Sequence, residues 1–244
     1  VVSPVVVNDP ASALYRIDFS ADAPRLGGSA FAQSLGFVGS DVPTVKDADY
    51  FRAAFNAVQR LVGEGLLLAG HDLSAGGLIT CLLEMCFANV DGGLEISLDG
   101  LGQDDLVKLL FAENPGVVVQ VADASREAFL AVLAEAGVQA VELGRPVEER
   151  HILVGFDGAT YQFGVDYLRD VWYETSALLD ARQSLNGCAQ RRYDNYKQQP
   201  LEFNLRPDFA GTFAQLGIDP DRRTPSGTRA AIIREKGTNG EREM

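Results

Sequence analysis

A strand, a glycine-containing turn and a helix follow one another in residues 65–85, and this unit constrains the fold most. The apolar run at residues 66–69 predicts a short buried strand, and the periodic apolar positions of residues 78–87 predict a helix. Between them the chain reads Gly-His-Asp-Leu-Ser-Ala-Gly-Gly. Glycines let a backbone approach a ligand closely, and a helix N-terminus presents unpaired N–H groups to an anion. The turn is therefore a candidate phosphate-binding site.

Two polar side chains in this turn favour a magnesium–nucleotide interpretation. Asp72 is the kind of oxygen ligand that Mg²⁺ prefers, and Ser74 adds a hydroxyl donor. The alternative is a tight turn in which Asp72 or Ser74 caps the helix while Gly76 and Gly77 only fit the backbone. The spacing leaves both interpretations open, because a Gly-Gly turn is far less specific than a full phosphate-loop pattern.

A second glycine pair, Gly27 and Gly28, precedes Ser29 and a predicted helix at residues 31–35. It is either another anion site or a helix cap with close packing, and the pattern favours the cap slightly.

The charge and the cysteines narrow the function classes. A net charge of -13 argues against nucleic acid or an anionic membrane as the main partner. It does not exclude a nucleotide, because Mg²⁺ can bridge acidic side chains to phosphates. No apolar run approaches membrane-spanning length. The three cysteines lack CxxC spacing, which indicates reduced thiols, and we expect a cytoplasmic protein.

Strands and helices mix between about residues 24 and 164, which predicts helices packed on a mixed sheet. The predicted helices cover residues 47–63, 104–110 and 125–136, and the predicted strands cover residues 14–20, 94–98, 117–121 and 138–143, with a hairpin around Asp157 and Gly158.

The pattern changes after residue 164. Residues 167–185 predict a long helix, residues 190–199 a second and exposed helix, and residues 200–227 a proline-containing linker. Residues 229–233 predict a new apolar strand. Because the chain starts with Val1 and stops at Met244, where this new pattern has just begun, we expect it to be a piece of a longer polypeptide.

Six stretches, taken together, resemble one enzyme family. They are RLGGSAFAQ at residues 25–33, KDADYFRAAFNAVQRLV at 46–62, HDLSAGGLITCLLEM at 71–85, LFAENPGVVVQV at 110–121, LRDVWYETS at 168–176 and IIREKGTNGEREM at 232–244. Their order and spacing are similar to those of phosphoribosylformylglycinamidine synthase, the large single-chain form used in purine biosynthesis.

The resemblance implies an α+β fold, a three-layer α/β/α domain with a mixed sheet like the C-terminal domain of aminoimidazole ribonucleotide synthetase. Residues 1–22 resemble the last strand of a preceding nucleotide-binding half, and residues 23–164 resemble the synthetase-like domain itself. Residues 165–228 resemble a helical connector and linker, and residues 229–244 the start of a glutamine amidotransferase domain.

The family reaction converts formylglycinamide ribonucleotide, ATP and glutamine to the amidine, ADP, phosphate and glutamate. By resemblance, Asp72 is associated with Mg²⁺, Ser74 with ATP, and Gly76 and Gly77 with the phosphates. No catalytic residue is assigned, because neither the cysteines nor the histidines match the amidotransferase nucleophile and its partner.

Two roles follow from the resemblance, and a third does not depend on it. The chain is a piece of an ATP-dependent amidoligase that is inactive alone, or a scaffold and auxiliary nucleotide half-site that binds Mg²⁺ and ATP or ADP weakly or not at all. The third alternative is an unrelated magnesium-dependent nucleotide binder. The expected partners are the preceding half, the amidotransferase domain and small-molecule substrates. We also expect self-association through the uncovered strand at residues 14–20 or through residues 229–244.

Three further residues have structural interpretations that the sequence favours. Glu113 is predicted to cap or hydrogen-bond rather than touch a ligand. Trp172 is predicted to lie in the core, and His71 to orient the Asp72 loop rather than act as a base.

Overall fold

The computed structural model describes residues 2–196, 208–224 and Gly227. The chain divides into two compact units, Val1–Gln199 and Pro200–Met244. In the second unit, the described residues 208–224 run as turns and irregular backbone. The predicted strand at residues 229–233, and with it the predicted start of an amidotransferase domain at 229–244, lies outside the described residues.

One mixed sheet organises the first unit. Its seven strands run in the order β2-β4-β1-β5-β3-β6-β7, and only the β3–β6 pair is parallel. The strands are β1 Ser12–Asp18, β2 Ala69–Asp72, β3 Gly93–Ser97, β4 Gly116–Ala122, β5 Ala140–Val147, β6 His151–Phe156 and β7 Ala159–Gly164.

Helices cover both faces of this sheet. They are α1 Ala30–Ser34, α2 Ala48–Gly63, α3 Gly77–Phe87, α4 Leu106–Phe111, α5 Arg126–Glu135, α6 Val165–Gln183 and α7 Cys188–Asn195. One apolar core joins the sheet to α3 and α4, and a second joins the opposite face to α2 and α5. The predicted α+β class, with its three-layer α/β/α domain and mixed sheet, is confirmed.

Strand β1 lies inside the sheet, so the prediction of an uncovered strand at residues 14–20 is wrong. All seven of its residues pair with β4, and its other edge pairs with β5. Its side chains are buried on both faces, with Leu14 in one core and Tyr15 and Ile17 in the other. Among the described strands, the sheet edges are β2 and β7, and β7 is the more exposed of the two. Assignment of residues 1–22 to a preceding half stays a prediction.

The position of Trp172 also differs from the prediction. Its side chain is 54% exposed, although its ring contacts that of Phe87 at 5.5 Å between centroids. The buried residues of α6 are Val165 and Arg169, in its first two turns. The 19-residue helix then continues past the surface it packs on, so its later apolar positions stay exposed.

Two arginines close the C-terminal end of α3. Arg150 donates to the carbonyls of Cys86 (3.0 Å), Asn89 (2.7 Å) and Gly92 (3.1 Å), and Arg169 donates to that of Phe87 (3.1 Å). Asp166 pairs with both guanidinium groups, at 3.1 and 2.9 Å. The last carbonyls of a helix lack intrahelical partners and carry partial negative charge, so this arrangement stabilises the end of α3.

Replacing Arg150 with alanine should lower the free energy of unfolding by about 1–3 kcal/mol, because it leaves several partly buried carbonyls unpaired. Arg52→Ala is the control, since the Arg52 side chain is 74% exposed and pairs with Asp49 in the same helix. It should cost less than about 1 kcal/mol. Urea unfolding of both variants measures the difference. Equal costs would contradict this role of Arg150.

Within the residues that the structure describes, no helix combines the length and apolar character that a membrane span requires.

Candidate functional site

The strand before the glycine turn lies later in the chain than the apolar run suggests. Strand β2 covers Ala69–Asp72 and not residues 66–69. Leu66 donates its N–H to the Leu61 carbonyl at the end of α2, and Leu66 and Leu67 pack into the α2–α5 core. The polar residues His71 and Asp72 therefore occupy the last strand positions, paired with Val118 and Val117 of β4.

The two glycines of the turn have left-handed backbone conformations. Gly76 (φ 88°) is the N-cap of α3, and Gly77 (φ 71°) is its first residue. A Cβ on Gly77 would lie 2.7 Å from the carbonyl oxygen of Leu110 and 2.7 Å from the Phe111 backbone. These glycines are thus needed for backbone geometry and close packing, whatever ligand the turn binds.

The N-cap of α3 is Gly76, which has no side chain to cap the helix, so capping by Asp72 or Ser74 is a wrong alternative. The N–H of Gly77 donates to the Ser74 carbonyl at 3.0 Å, and the N–H of Gly76 donates to Glu113 Oε1 at 2.8 Å. The same Glu113 oxygen accepts from the Ala30 N–H at 2.7 Å. The predicted hydrogen-bonding role of Glu113 is confirmed.

The second glycine turn ends in a side-chain cap. Ser29 is the N-cap of α1, and its hydroxyl accepts from the Ala32 N–H at 3.1 Å. A Cβ on Gly27 would lie 2.5 Å from the Asp41 carbonyl oxygen. The interpretation of this turn as a cap with close packing is therefore confirmed.

Asp72 and Ser74 face solvent. The Asp72 side chain is 72% exposed, and Ser74 is exposed as well. His71 Nδ1 lies 2.8 Å from the Asp72 carbonyl oxygen, and its Nε2 lies 3.4 Å from Glu84 Oε2. The predicted contact of His71 with the Asp72 loop is present, and it holds the imidazole between a carbonyl and a carboxylate.

The described residues contain no group of three or more His, Cys, Asp or Glu side chains that would hold a metal ion. Asp72 supplies a single accessible carboxylate. Mg²⁺ is commonly bound by one or two carboxylates together with water and substrate phosphates, so Asp72 fits as one ligand of a phosphate-bound ion and not as a complete site.

The cysteines of α3 are core residues. Cys81 and Cys86 are 2% and 0% exposed. Burial raises the pKa of both thiols, that of Cys86 to about 12. Both therefore stay protonated near neutral pH, where a nucleophilic cysteine needs a thiolate.

The sequence interpretation missed how one short turn connects these loops. Asn114, next to Glu113, is 1% exposed and donates to the Ser20 hydroxyl (3.2 Å) and the Ala23 carbonyl (3.1 Å). Its Oδ1 accepts from the Arg25 N–H at 3.3 Å. The available signal was the Glu-Asn pair directly before a valine-rich strand, where a buried polar side chain must find partners.

With this geometry in place, comparison with known proteins assigns the family. The family model described as "AIR synthase related protein, C-terminal domain" matches residues 19–156. The chain belongs to this family.

Curated proteins named phosphoribosylformylglycinamidine synthase are similar over almost the whole chain. The relative from Arabidopsis thaliana, "Probable phosphoribosylformylglycinamidine synthase, chloroplastic/mitochondrial", is 33% identical over 234 residues, 95% of this chain. The relative from Homo sapiens is 34% identical over 237 residues, also 95% of this chain. This member of the AIR synthase related family spans only 16% and 17% of their lengths.

Solved structures of PurL from T. maritima share the fold. The one complexed with ATP has a TM-score of 0.54 at 16% identity, covering 69% of this chain and 27% of that chain. The one complexed with FGAR has a TM-score of 0.55 at 17% identity, covering 69% and 29%. At this identity the likeness establishes the architecture of the AIR synthase related domain alone.

Proposed function

We propose that this chain is part of a phosphoribosylformylglycinamidine synthase that uses ATP and glutamine to convert formylglycinamide ribonucleotide to its amidine. The observation that carries the proposal is the 33–34% identity over 95% of the chain to two curated synthases. The PurL structures complexed with ATP and with FGAR support the same substrate classes. The unrelated nucleotide binder loses its support, because the chain belongs to the AIR synthase related family.

Within that enzyme we assign the chain an auxiliary and structural role. Asp72 presents an exposed carboxylate at the glycine turn, and the Gly76 N–H is bonded to Glu113. The two buried thiols of α3 are not activated. This arrangement suits a nucleotide half-site that needs further ligands from a preceding domain. It also suits a scaffold beside a C-terminal amidotransferase domain. We propose in addition that the protein is cytoplasmic.

A nucleotide in this half-site would meet Asp72 through Mg²⁺ and Ser74 through its hydroxyl. The ion would neutralise phosphate charge and bridge the phosphates to the carboxylate. His71 would hold the Asp72 backbone at the end of β2, through the contact at its carbonyl oxygen. Because the chain supplies so few ligands, it is proposed to be inactive as a ligase on its own.

We expect titration calorimetry of the 244-residue chain with Mg·ADP to give a weak, unsaturated isotherm. In the complete synthase, Asp72→Asn should weaken Mg·ADP binding while amidine formation changes little. A catalytic metal ligand would instead cost about a hundredfold or more in turnover.

Asp49→Asn is the matched control, because the Asp49 side chain is 86% exposed and lies in the first turn of α2. It should change neither binding nor turnover. A tight isotherm for the chain alone that Asp72→Asn abolishes would show a self-sufficient site. A hundredfold loss of turnover would place Asp72 in the chemistry, and either result contradicts the auxiliary role.

A further inference from the structure

The turn between α4 and β4 bonds to the beginnings of two helices through one side chain. Oε1 of Glu113 accepts from the N–H of Gly76 at 2.8 Å and from the N–H of Ala30 at 2.7 Å. Gly76 is the N-cap of α3, and Ala30 is the first residue of α1. A single carboxylate oxygen thus joins the two glycine turns, whose donors Ala30 and Gly76 are 46 residues apart in the chain.

A negative charge at this point compensates the partial positive charge at the N-terminal ends of α3 and α1. The first N–H groups of a helix have no intrahelical acceptor, and they carry partial positive charge. The Glu113 carboxylate accepts from one amide at each helix start through charge-assisted hydrogen bonds, which are about twice as strong as neutral ones. The Glu113 oxygen therefore holds the position that a phosphate oxygen would need in order to accept from Gly76.

The surrounding contacts fix Glu113 relative to both turns. The rings of Phe31 and Phe111 stack at 4.5 Å between centroids, joining α1 to the end of α4. Gly77 lies against the backbone of Leu110 and Phe111 with no room for a Cβ. Asn114 is buried and bonded on the other side. The carboxylate is thus presented by a packed segment rather than by a free loop.

We propose that Glu113 is the positioning residue of the candidate nucleotide turn. It acts as an internal anion that ties Gly76 to α1 and leaves Asp72 and Ser74, rather than the Gly76 amide, to meet a ligand. The ligand part of this inference rests on the proposed function. The role of the carboxylate at the two amides does not, and it is tested without any nucleotide.

Amide hydrogen exchange of the full 244-residue chain tests the tie directly. Glu113→Ala should raise the exchange of Gly76 and Ala30 together, by about 10- to 100-fold, because both lose a bond to a charged acceptor. Glu113→Gln keeps an acceptor but not the charge, so the exchange rates of both amides should rise by less. Leu82, buried in the middle of α3, reports global opening and should stay protected.

Glu127→Gln is the matched control, an exposed carboxylate in the first turn of α5. It should alter neither amide. The proposal would be overturned if Glu113→Ala changed the exchange rate of only one of the two amides. It would also be overturned if the exchange rate of Leu82 rose by the same factor. If the Ala variant does not fold, the Gln variant decides: unchanged exchange at both Gly76 and Ala30 would overturn it.

Mg·ADP binding to the complete synthase adds the second readout. Glu113→Ala should weaken binding, and Glu113→Gln should retain more of the affinity. Tighter binding by Glu113→Ala would show that the carboxylate only competes with phosphate, which contradicts a positioning role. Absence of Mg·ADP binding in the unsubstituted enzyme would reject the proposed nucleotide half-site, while the exchange data would still decide the role of Glu113 at the amides.

Discussion

Replacing Gly77 with alanine is expected to lower the free energy of unfolding by about 3–5 kcal/mol, the sum of backbone strain and overpacking. Gly77 has φ 71°, a conformation that costs a residue with a side chain. The new Cβ would lie 2.7 Å from the Leu110 oxygen and from Phe111 backbone atoms. Backbone atoms cannot rotate away, so α3 would have to move from the end of α4. Urea unfolding, with the m-value checked for two-state behaviour, measures the loss.

Gly137→Ala separates the two contributions. Gly137 follows the C-cap of α5 with φ 67°, yet nothing lies within 4 Å of the position of its Cβ. This control should cost only the strain, about 1 kcal/mol. Equal losses for the two variants would show that the close approach at Gly77 is relieved at little cost. In that case, packing would not explain the glycine, and close approach to a ligand would become the better reason for it.

Local sequence patterns correctly predicted the helix and the hairpin turn whose formation depends on neighbouring residues. Helix α2 begins one residue after its Asp47 cap, whose carboxylate accepts from the Asp49 and Tyr50 amides, and it ends at Gly63 as predicted. The hairpin between β6 and β7 turns at Asp157 and Gly158, which both have positive φ. In each case the decisive residues lie within a few positions of the feature, so the sequence contains the whole signal.

Features that depend on distant partners were predicted poorly. The central place of β1 follows from pairing with β4 and β5, which lie about 100 to 130 residues later in the chain. The exposure of Trp172 depends on where the surface under α6 ends, which its own sequence does not encode. Residues 66–67 pack against α2, so β2 begins at Ala69 and includes His71 and Asp72.

The candidate site also combines features that the local sequence determines with features that depend on distant partners. The glycine turn and its position before α3 follow from the order strand, turn, helix. The anion at Gly76 does not, because Glu113 lies 37 residues further along the chain. In the sequence the two glycine turns are separate candidates for an anion site or a structural turn, whereas the fold brings both to one carboxylate of the protein itself.

Gln120 provides the second large effect, since Gln120→Leu should lower the free energy of unfolding by about 2–4 kcal/mol. The side chain is fully buried in β4, within the predicted strand at residues 117–121. Its amide accepts from the Val7 N–H (2.8 Å) and donates to the Val7 carbonyl (2.7 Å) and the Ser12 hydroxyl (2.7 Å). It therefore acts as the strand partner of Val7 and attaches the segment before β1 to the sheet.

Leucine has nearly the same size, so this substitution removes the hydrogen bonds without opening a large cavity, and three polar groups lose their partner together. Gln162→Leu, at an exposed position of the edge strand β7, is the matched control and should change stability by less than about 0.5 kcal/mol. Amide exchange at Val7 should rise in Gln120→Leu by more than the change in global stability requires, because the segment detaches locally. Unchanged exchange at Val7 would mean that the contacts of Val6 with Met85 and Asn89 hold this segment by themselves. The cost of Gln120→Leu would then come from the core and not from the attachment.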